Sequence, residues 1–283
     1  MLLKASTLMG LLATLGTTYA SRKCATPDPP AELLAKSREL KAQADALKEA
    51  GVMVSKAPIT VNAWFHVVSA SGTLADGNIT DEMLQDQIEV LNDNFAPHSI
   101  QFNLTGTTRT VNSTWSDNED ILVMKTNLRK GDYATLNLYF TRTPPGNSQG
   151  YCTFPGAPEE GSQDFYNDGC VLDAQTVPGG SRAPFNLGKT ATHEVGHWFG
   201  LYHTFTGGCN TLSGGDYIDD TPYQASQTQG CPVGRDSCPD LEGLDPIHNY
   251  MDYSDDACYE EFTPDQAAKM QDNWQYWRAA SQS

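Results

Sequence analysis

His193 and His197 stand four residues apart with Glu194 between them. On a helix that spacing stacks the two imidazoles one turn apart on one face, so both can reach a single metal ion. Zinc suits three nitrogen ligands and leaves a fourth position for water. Gly200 opens the way to the third ligand. Lacking a side chain, it lets the helix stop and turn sharply, which swings His203 under the metal. A continued helix would carry His203 well around the axis from His193. Glu194 lies angularly close to the metal-facing side, where it can take a proton from a zinc-bound water as that water attacks a carbonyl, then pass it to the leaving amine. The chemistry such a site supports is hydrolysis of peptide bonds. The alternative is a zinc-stabilised binding protein without activity. A purely structural site has no need of a base, and it usually fills the fourth zinc position with a protein ligand. The other histidines, His66, His98 and His248, carry no metal signal and read as structural or surface residues.

The elements that must position these groups follow from periodicity. Ile59 to Val68 alternates as a strand. Thr80 can cap a helix with Asp81 and Glu82 in its first turn and Leu84, Ile88, Leu91 and Phe95 along its buried stripe. Ile100, Phe102 and Leu104 form a second strand, residues 118 to 130 a helix ending at Gly131, and Leu136, Leu138 and Phe140 a third strand. Residues 143 to 187 are rich in Pro, Gly and Asn, with one short strand at Cys170-Val171-Leu172. The histidine-bearing helix comes next, followed by about sixty loop-rich residues. Thr263-Pro264-Asp265-Gln266 is a capping box with proline at the first helical position. It opens a last helix with Met270, Trp274 and Trp277 on one side. Ahead of all this, Ala31 to Ala50 reads as one amphipathic helix, with Leu33, Leu40 and Leu47 at heptad spacing and Gly51 as its cap. It is expected to stand outside the main domain, with a boundary at Lys56-Ala57-Pro58.

Residues 1–20 have the form of a secretory signal peptide. Lys4 is followed by the apolar run Leu8 to Gly16 and the small-residue end Thr18-Tyr19-Ala20. A short membrane anchor is the alternative, but the apolar core is too short to span comfortably. Sequons at Asn78, Asn103 and Asn112 are candidate N-glycosylation sites and would face solvent. Charge is uneven. Residues 21–56 carry seven Lys/Arg against five Asp/Glu, and residues 57–283 carry ten against thirty, a net of −20. Such an acidic body argues against nucleic-acid or anionic-membrane partners and suits basic substrates, divalent cations or simple solubility. Of seven cysteines, six lie in the second half and most simply form three disulfides, with fifteen possible connectivities; Cys24 is the odd one out.

His193 to His203, with Asn249-Tyr250-Met251-Asp252-Tyr253 following 48 residues after His203, resembles the metzincin signature of a zinc-binding helix and a methionine turn. More narrowly the chain resembles the pappalysin (cytophagalysin) family and its small secreted fungal and microbial metalloproteases. The residues behind this are Thr204-Phe205, Gly208-Cys209, Asp220-Thr221-Pro222, Asp236 to Pro239 and Asn249 to Cys258. The likeness is dense over 188–278 and thinner over 59–187. It implies an α+β, metzincin-like split catalytic domain over 57–283, with a twisted mixed sheet and the active-site helix above an irregular disulfide-bonded lower subdomain. It implies one Zn2+, protein or peptide substrates, a secreted monomer, and the pairs Cys209–Cys238 and Cys231–Cys258, with Cys152–Cys170 left by elimination. Met251 would form a hydrophobic base under the ligands, a role that nearly coincides with ordinary packing. Tyr253 would swing toward the metal and steady an oxyanion, or serve as a buried structural tyrosine. Residues 21–56 would be a pro-segment whose Cys24 ligates zinc and holds the enzyme latent, although Ala25 replaces the glycine common after that cysteine; a free thiol is the other reading. Relatives also suggest Ca2+ among the acidic loops at Asp216, Asp219, Asp220 and Asp240. The segment Ser254 to Cys258 would help wall the pocket for the side chain just beyond the scissile bond. An inward Asp255 or Asp256 there would attract Lys or Arg. A thermolysin-like site, with a distant glutamate as third ligand, is disfavoured by Gly200 and His203.

Overall fold

The structure is a computed structural model and describes residues 21–52 and 56–279. The expected signal peptide, 1–20, lies outside the described residues. A five-stranded sheet runs in the order β2-β1-β3-β5-β4. Its strands are β1 (Ile59–Ser69), β2 (Ile100–Val111), β3 (Leu136–Thr141), β4 (Gly150–Cys152) and β5 (Cys170–Asp173). Pairings β1/β2, β1/β3 and β3/β5 are parallel, and only β4 joins antiparallel. The middle strands β3 and β5 are buried at every position, as strands covered on both faces must be. Outer strand β2 alternates at its start and then opens to solvent, leaving Asn103 exposed.

Helices cover both faces. On one side lie α2 (Asp81–Phe95) and α6 (Lys189–Trp198), with α7 (Pro264–Asn273) closing the end. Phe65, Leu138, Phe95, Val195, Trp198, Phe199 and Trp274 share their core. On the other side Met124 of α4 (Ile121–Leu128) packs on Tyr139, Val171 and Val68. Thr80 caps α2 by accepting from the Met83 amide, and Thr263 with Gln266 forms the full capping box of α7. Beyond Asn273 that helix continues as a π turn, Trp274–Arg278, so Trp277 still reaches the core side. The helix expected over 118–130 is shorter. Asn112 caps a separate turn, α3 (Ser113–Ser116), and Asn118 and Asp120 adopt left-handed backbone, φ 64° and 53°, which breaks the run before Ile121.

Two corrections to the sequence reading bear on the site. The short β4, with Gly150 and Cys152 opposite Leu172 and Cys170, is absent from that reading because three residues inside a Pro/Gly/Asn-rich stretch carry no period. The amphipathic helix α1 (Ala31–Glu49) does not stand apart but docks on the body. Leu33 is buried with Tyr202 and Trp277, Ser37 bonds the Tyr202 hydroxyl at 3.0 Å, Arg38 donates to the Tyr217 hydroxyl, and Lys41 pairs with Asp219 at 2.6 Å. Only one end of the heptad stripe is used: Leu47 is 41% exposed. Gly51, at φ 68°, ends the helix as expected. A short helix, α5 (Gln163–Asn167), lies in the loop before β5. From Phe199 to Phe262 the chain is mostly irregular and held by Cys209–Cys238 and Cys231–Cys258, while Cys152–Cys170 ties β4 to β5.

Candidate metal centre and cleft

Helix α6 is buried along its length and carries His193, Glu194 and His197. It ends where Gly200 takes φ 88°, with the Leu201 amide reaching back to the Gly196 carbonyl. A Cβ on Gly200 would also meet Asn273 Nδ2 at 2.4 Å, so backbone strain and space both demand glycine. The turn brings His203 back, and His197 Nε2 and His203 Nε2 lie 3.1 Å apart. One nitrogen from each of the three histidines and the sulfur of Cys24 all fall within 4.8 Å of one another.

These residues fit a zinc ion on the chemistry of the donor set. His193 Nε2 is buried without a hydrogen-bond partner. The Nδ1–H groups of His193 and His197 are spent on carbonyls, at 2.6 Å to Tyr250 and 2.8 Å to Leu201, which fixes the tautomer and aims Nε2 inward. Burial drives all three imidazoles toward the neutral form, His197 down to about 4, and neutral imidazole is the ligating form.

Met251 lies fully buried beneath α6. A Cβ on Gly196 would sit 2.4 Å from its sulfur, so the helix and the turn approach through a glycine. Glu194 is also buried, and burial lifts its carboxyl to about 7 despite the Cys24 thiol, the Thr26 hydroxyl and the Arg22 charge. The Tyr253 ring stands 5.0 Å from that of His203, and its hydroxyl accepts the Cys24 amide at 3.2 Å.

Residues 21–26 lie in the cleft. Cys24 pairs parallel with Gly150 of β4: the Ala25 amide donates to the Gly150 carbonyl and the Gln149 amide to the Lys23 carbonyl, each at 2.8 Å. The Cys24 thiol points at Glu194 Oε2, 3.3 Å away. Arg22 is buried. Its guanidinium pairs with Asp256, donates to Thr190 Oγ1 at 3.0 Å and the Ser254 carbonyl at 3.3 Å, and lies over the Phe185 and Tyr259 rings. Of the two acids considered from sequence, Asp256 faces inward and Asp255 is half-buried. The resemblance brings Cys24 to the zinc, but the roles of its neighbours Arg22 and Thr26, and of Gln149 and Gly150, escape sequence reasoning because the partners are set only by folding.

Of the acidic residues considered for calcium, Asp216 accepts the Thr221 hydroxyl and the Ile218 amide, Asp219 pairs with Lys41, and Asp220 accepts the Asp265 amide. Among the sequons, Asn103 is exposed, Asn78 is half-buried, and the half-buried Asn112 uses its side-chain oxygen as a helix cap.

A buried histidine cluster on a helix above a methionine turn, with a mixed sheet on one side and a disulfide-bonded irregular half on the other, defines a metzincin-like metalloprotease. The comparisons agree. Residues 147–275 match the Peptidase_M43 family, described as pregnancy-associated plasma protein-A. An extracellular metalloprotease of Verticillium alfalfae is 55% identical over 90% of both chains, and one of Neurospora crassa 49% identical over 98% of this chain and 96% of its own. Among solved structures, mature mirolysin of Tannerella forsythia in complex with a cleaved peptide aligns with a TM-score of 0.62 at 29% identity, over 77% of this chain and 92% of its own. A promirolysin mutant aligns at 0.66 and 25% identity, over 90% of this chain and 94% of its own. The chain belongs to the Peptidase_M43 (pappalysin) family of metalloproteases.

Proposed function

We propose that the chain is a secreted zinc endopeptidase, made as a latent precursor, that cuts proteins ahead of basic residues. One observation carries the reading: three neutral imidazoles converge beside a buried carboxylate, with a cysteine thiol at the remaining side of the cluster. His193, His197 and His203 would hold the ion. When bound, zinc supplies Lewis acidity toward a water and toward the scissile carbonyl. Glu194, poised near neutrality, takes the proton from the attacking water and delivers it to the leaving nitrogen. The Tyr253 hydroxyl is placed to donate to the charge developing on the carbonyl oxygen once the cleft is cleared.

The cleft is not clear in this chain. Cys24 stands where a fourth ligand would, and residues 21–56 act as the pro-segment. The longer alignment to the promirolysin mutant than to mature mirolysin favours this reading. Arg22 then marks the substrate preference. A pocket that gives a guanidinium a buried carboxylate, two further acceptors and two aromatic faces would take an arginine side chain of a substrate in the same way, and lysine less fully. The relatives' extracellular names support secretion, with the segment 1–20 as signal.

The test is digestion of an unstructured protein by the processed enzyme, with mapping of each cut, before and after chelation and zinc add-back. Cuts ahead of Arg and Lys, abolished by chelation and restored by zinc, are expected. Absence of cleavage by zinc-loaded processed protein would overturn the function. Cuts dominated by apolar residues would overturn the preference alone.

A further inference from the structure

Thr26 lies two residues past Cys24 and makes contacts a spacer would not need. Its hydroxyl oxygen accepts the Cys152 amide of β4 at 3.0 Å and lies 3.1 Å from Glu194 Oε2. A hydroxyl has one proton. The other acceptor in reach is the Cys152 carbonyl at 3.4 Å, so the nearer, charged Oε2 is the better recipient. The Thr26 amide in turn points at the Cys24 sulfur, 3.3 Å away. The backbone leaves little freedom here. Ala25 is pinned to Gly150, and Pro27 restricts Thr26 to extended conformations, which sets the direction of its side chain.

From this geometry we propose that Thr26 is a second lock of the latent state, acting on the base Glu194 while Cys24 acts at the metal position. The proposal rests on the latency reading of Cys24 but goes beyond it. Both the thiol and the hydroxyl address the same oxygen, Glu194 Oε2. A cysteine bound to metal as thiolate no longer has a proton to donate, which leaves the Thr26 hydroxyl on that oxygen. The hydroxyl also takes the Cys152 amide, a main-chain donor on the outer strand of the sheet that an extended substrate could use once residues 21–26 are gone. Thr26 thus withholds the base and part of the substrate-binding edge together. Loss of the cysteine alone should therefore leave the precursor incompletely active.

The experiment uses the full secreted chain, its intactness checked by mass, as wild type, Thr26→Val, Thr26→Ser, Cys24→Ala and the Cys24→Ala/Thr26→Val double variant. Initial hydrolysis of a short fluorogenic peptide is read before self-processing, and the alkylation rate of the Cys24 thiol is read alongside. Thr26→Val keeps the shape and removes the hydrogen bonds; with Cys24 still at the metal position, its intact-chain activity should stay near the wild-type level. The double variant should exceed Cys24→Ala ~10-fold or more, the weight of a hydrogen bond to a charged group, and Thr26→Ser should match wild type. Cys24 in Thr26→Val should remain as protected from alkylation as in wild type, and all variants should be equally active once the segment is removed. A double variant no more active than Cys24→Ala would overturn the second lock. So would free alkylation of Cys24 in Thr26→Val, which would make Thr26 a docking residue only. Cys24→Ala activity equal to wild type, with Cys24 freely alkylated in the unaltered chain, would instead sink the latency reading itself.

Discussion

Glu194 and Asp256 are two buried carboxylates whose surroundings give them different work. Glu194 is held away from water, with its carboxyl lifted to about 7 by burial, so it can both accept and return a proton near neutral pH. Glu194→Gln keeps all three imidazoles. It is expected to retain one bound zinc by metal analysis while kcat/KM falls ~10²–10⁴-fold; near-normal turnover would remove Glu194 from the role of base. His203→Ala should show the opposite pattern, with weak metal binding and a chain that still folds. Asp256 meets a full charge instead, the Arg22 guanidinium, inside a closed pocket. Removing one partner of a buried charged pair costs about 2–5 kcal/mol. Asp256→Ala should therefore lose most of its preference for arginine just beyond the cut, read by profiling on a random peptide pool. An unchanged profile would move the specificity determinant elsewhere.

At the scale of elements, helix α6 is fixed at both its end and its flank. Gly200→Ala would force a side chain into left-handed backbone and against Asn273, whose amide nitrogen donates to the Phe199 carbonyl. The expected outcome is a loss of at least about 1–2 kcal/mol in unfolding free energy, together with weaker zinc binding because His203 is re-aimed. Wild-type metal affinity in that variant would show that the turn does not set the third ligand. On the flank, Asp168 ties Arg129 and Arg278 to the Trp198 indole of α6. Burial alone would raise its carboxyl, but the charges of Arg278 and Arg129 outweigh burial and hold it below the ordinary 3.8. A carboxyl depressed in the folded state contributes stability above its unfolded value, and that contribution is lost as pH falls through the folded value. Thermal unfolding should therefore show a drop in Tm below about pH 3.8 that is smaller in Asp168→Asn. The variant itself should be less stable at neutral pH by about 3–5 kcal/mol, since Asp168 is one buried charge partner of both arginines.

Across the whole molecule, the first described residues return to the cleft and to the far side of the helical layer. Arg22 to Thr26 lies along β4, and α1 spans onward to cover Tyr202 and Trp277. The segment 21–56 carries net +2 against the −20 of the body, which favours its retention at low ionic strength. A cut at the Lys56-Ala57-Pro58 boundary, C-terminal to α1, should leave the helix bound at first by its own contacts. Its departure should be salt-dependent and should wet Trp277, which is only 7% exposed in the intact chain. Tryptophan emission followed during processing at low and high salt is the measurement. An emission change complete at the moment of cutting, whatever the salt, would show that α1 has no affinity of its own.

The histidines, Glu194 and Gly200 were legible in the sequence because their chemistry depends on short-range spacing, whereas Met251, 48 residues past His203, entered only through the family resemblance. One helical turn puts His193 over His197, and one glycine ends the helix. The strands and helices with clear periods were legible for the same reason, since burial on one face repeats every two or every 3.6 residues. What needed the tertiary structure was everything decided between distant segments. The three residues of β4 have no period of their own and exist as a strand because β5 lies beside them. The α1 helix looked independent because its one buried leucine meets Tyr202 and Trp277, over 160 residues away. Arg22 and Asp256, 234 positions apart, are ordinary surface-type residues until folding removes water from between them. Local composition sets which chemistry is available, whereas long-range packing decides which charge is buried beside which, and so what the cleft is closed against.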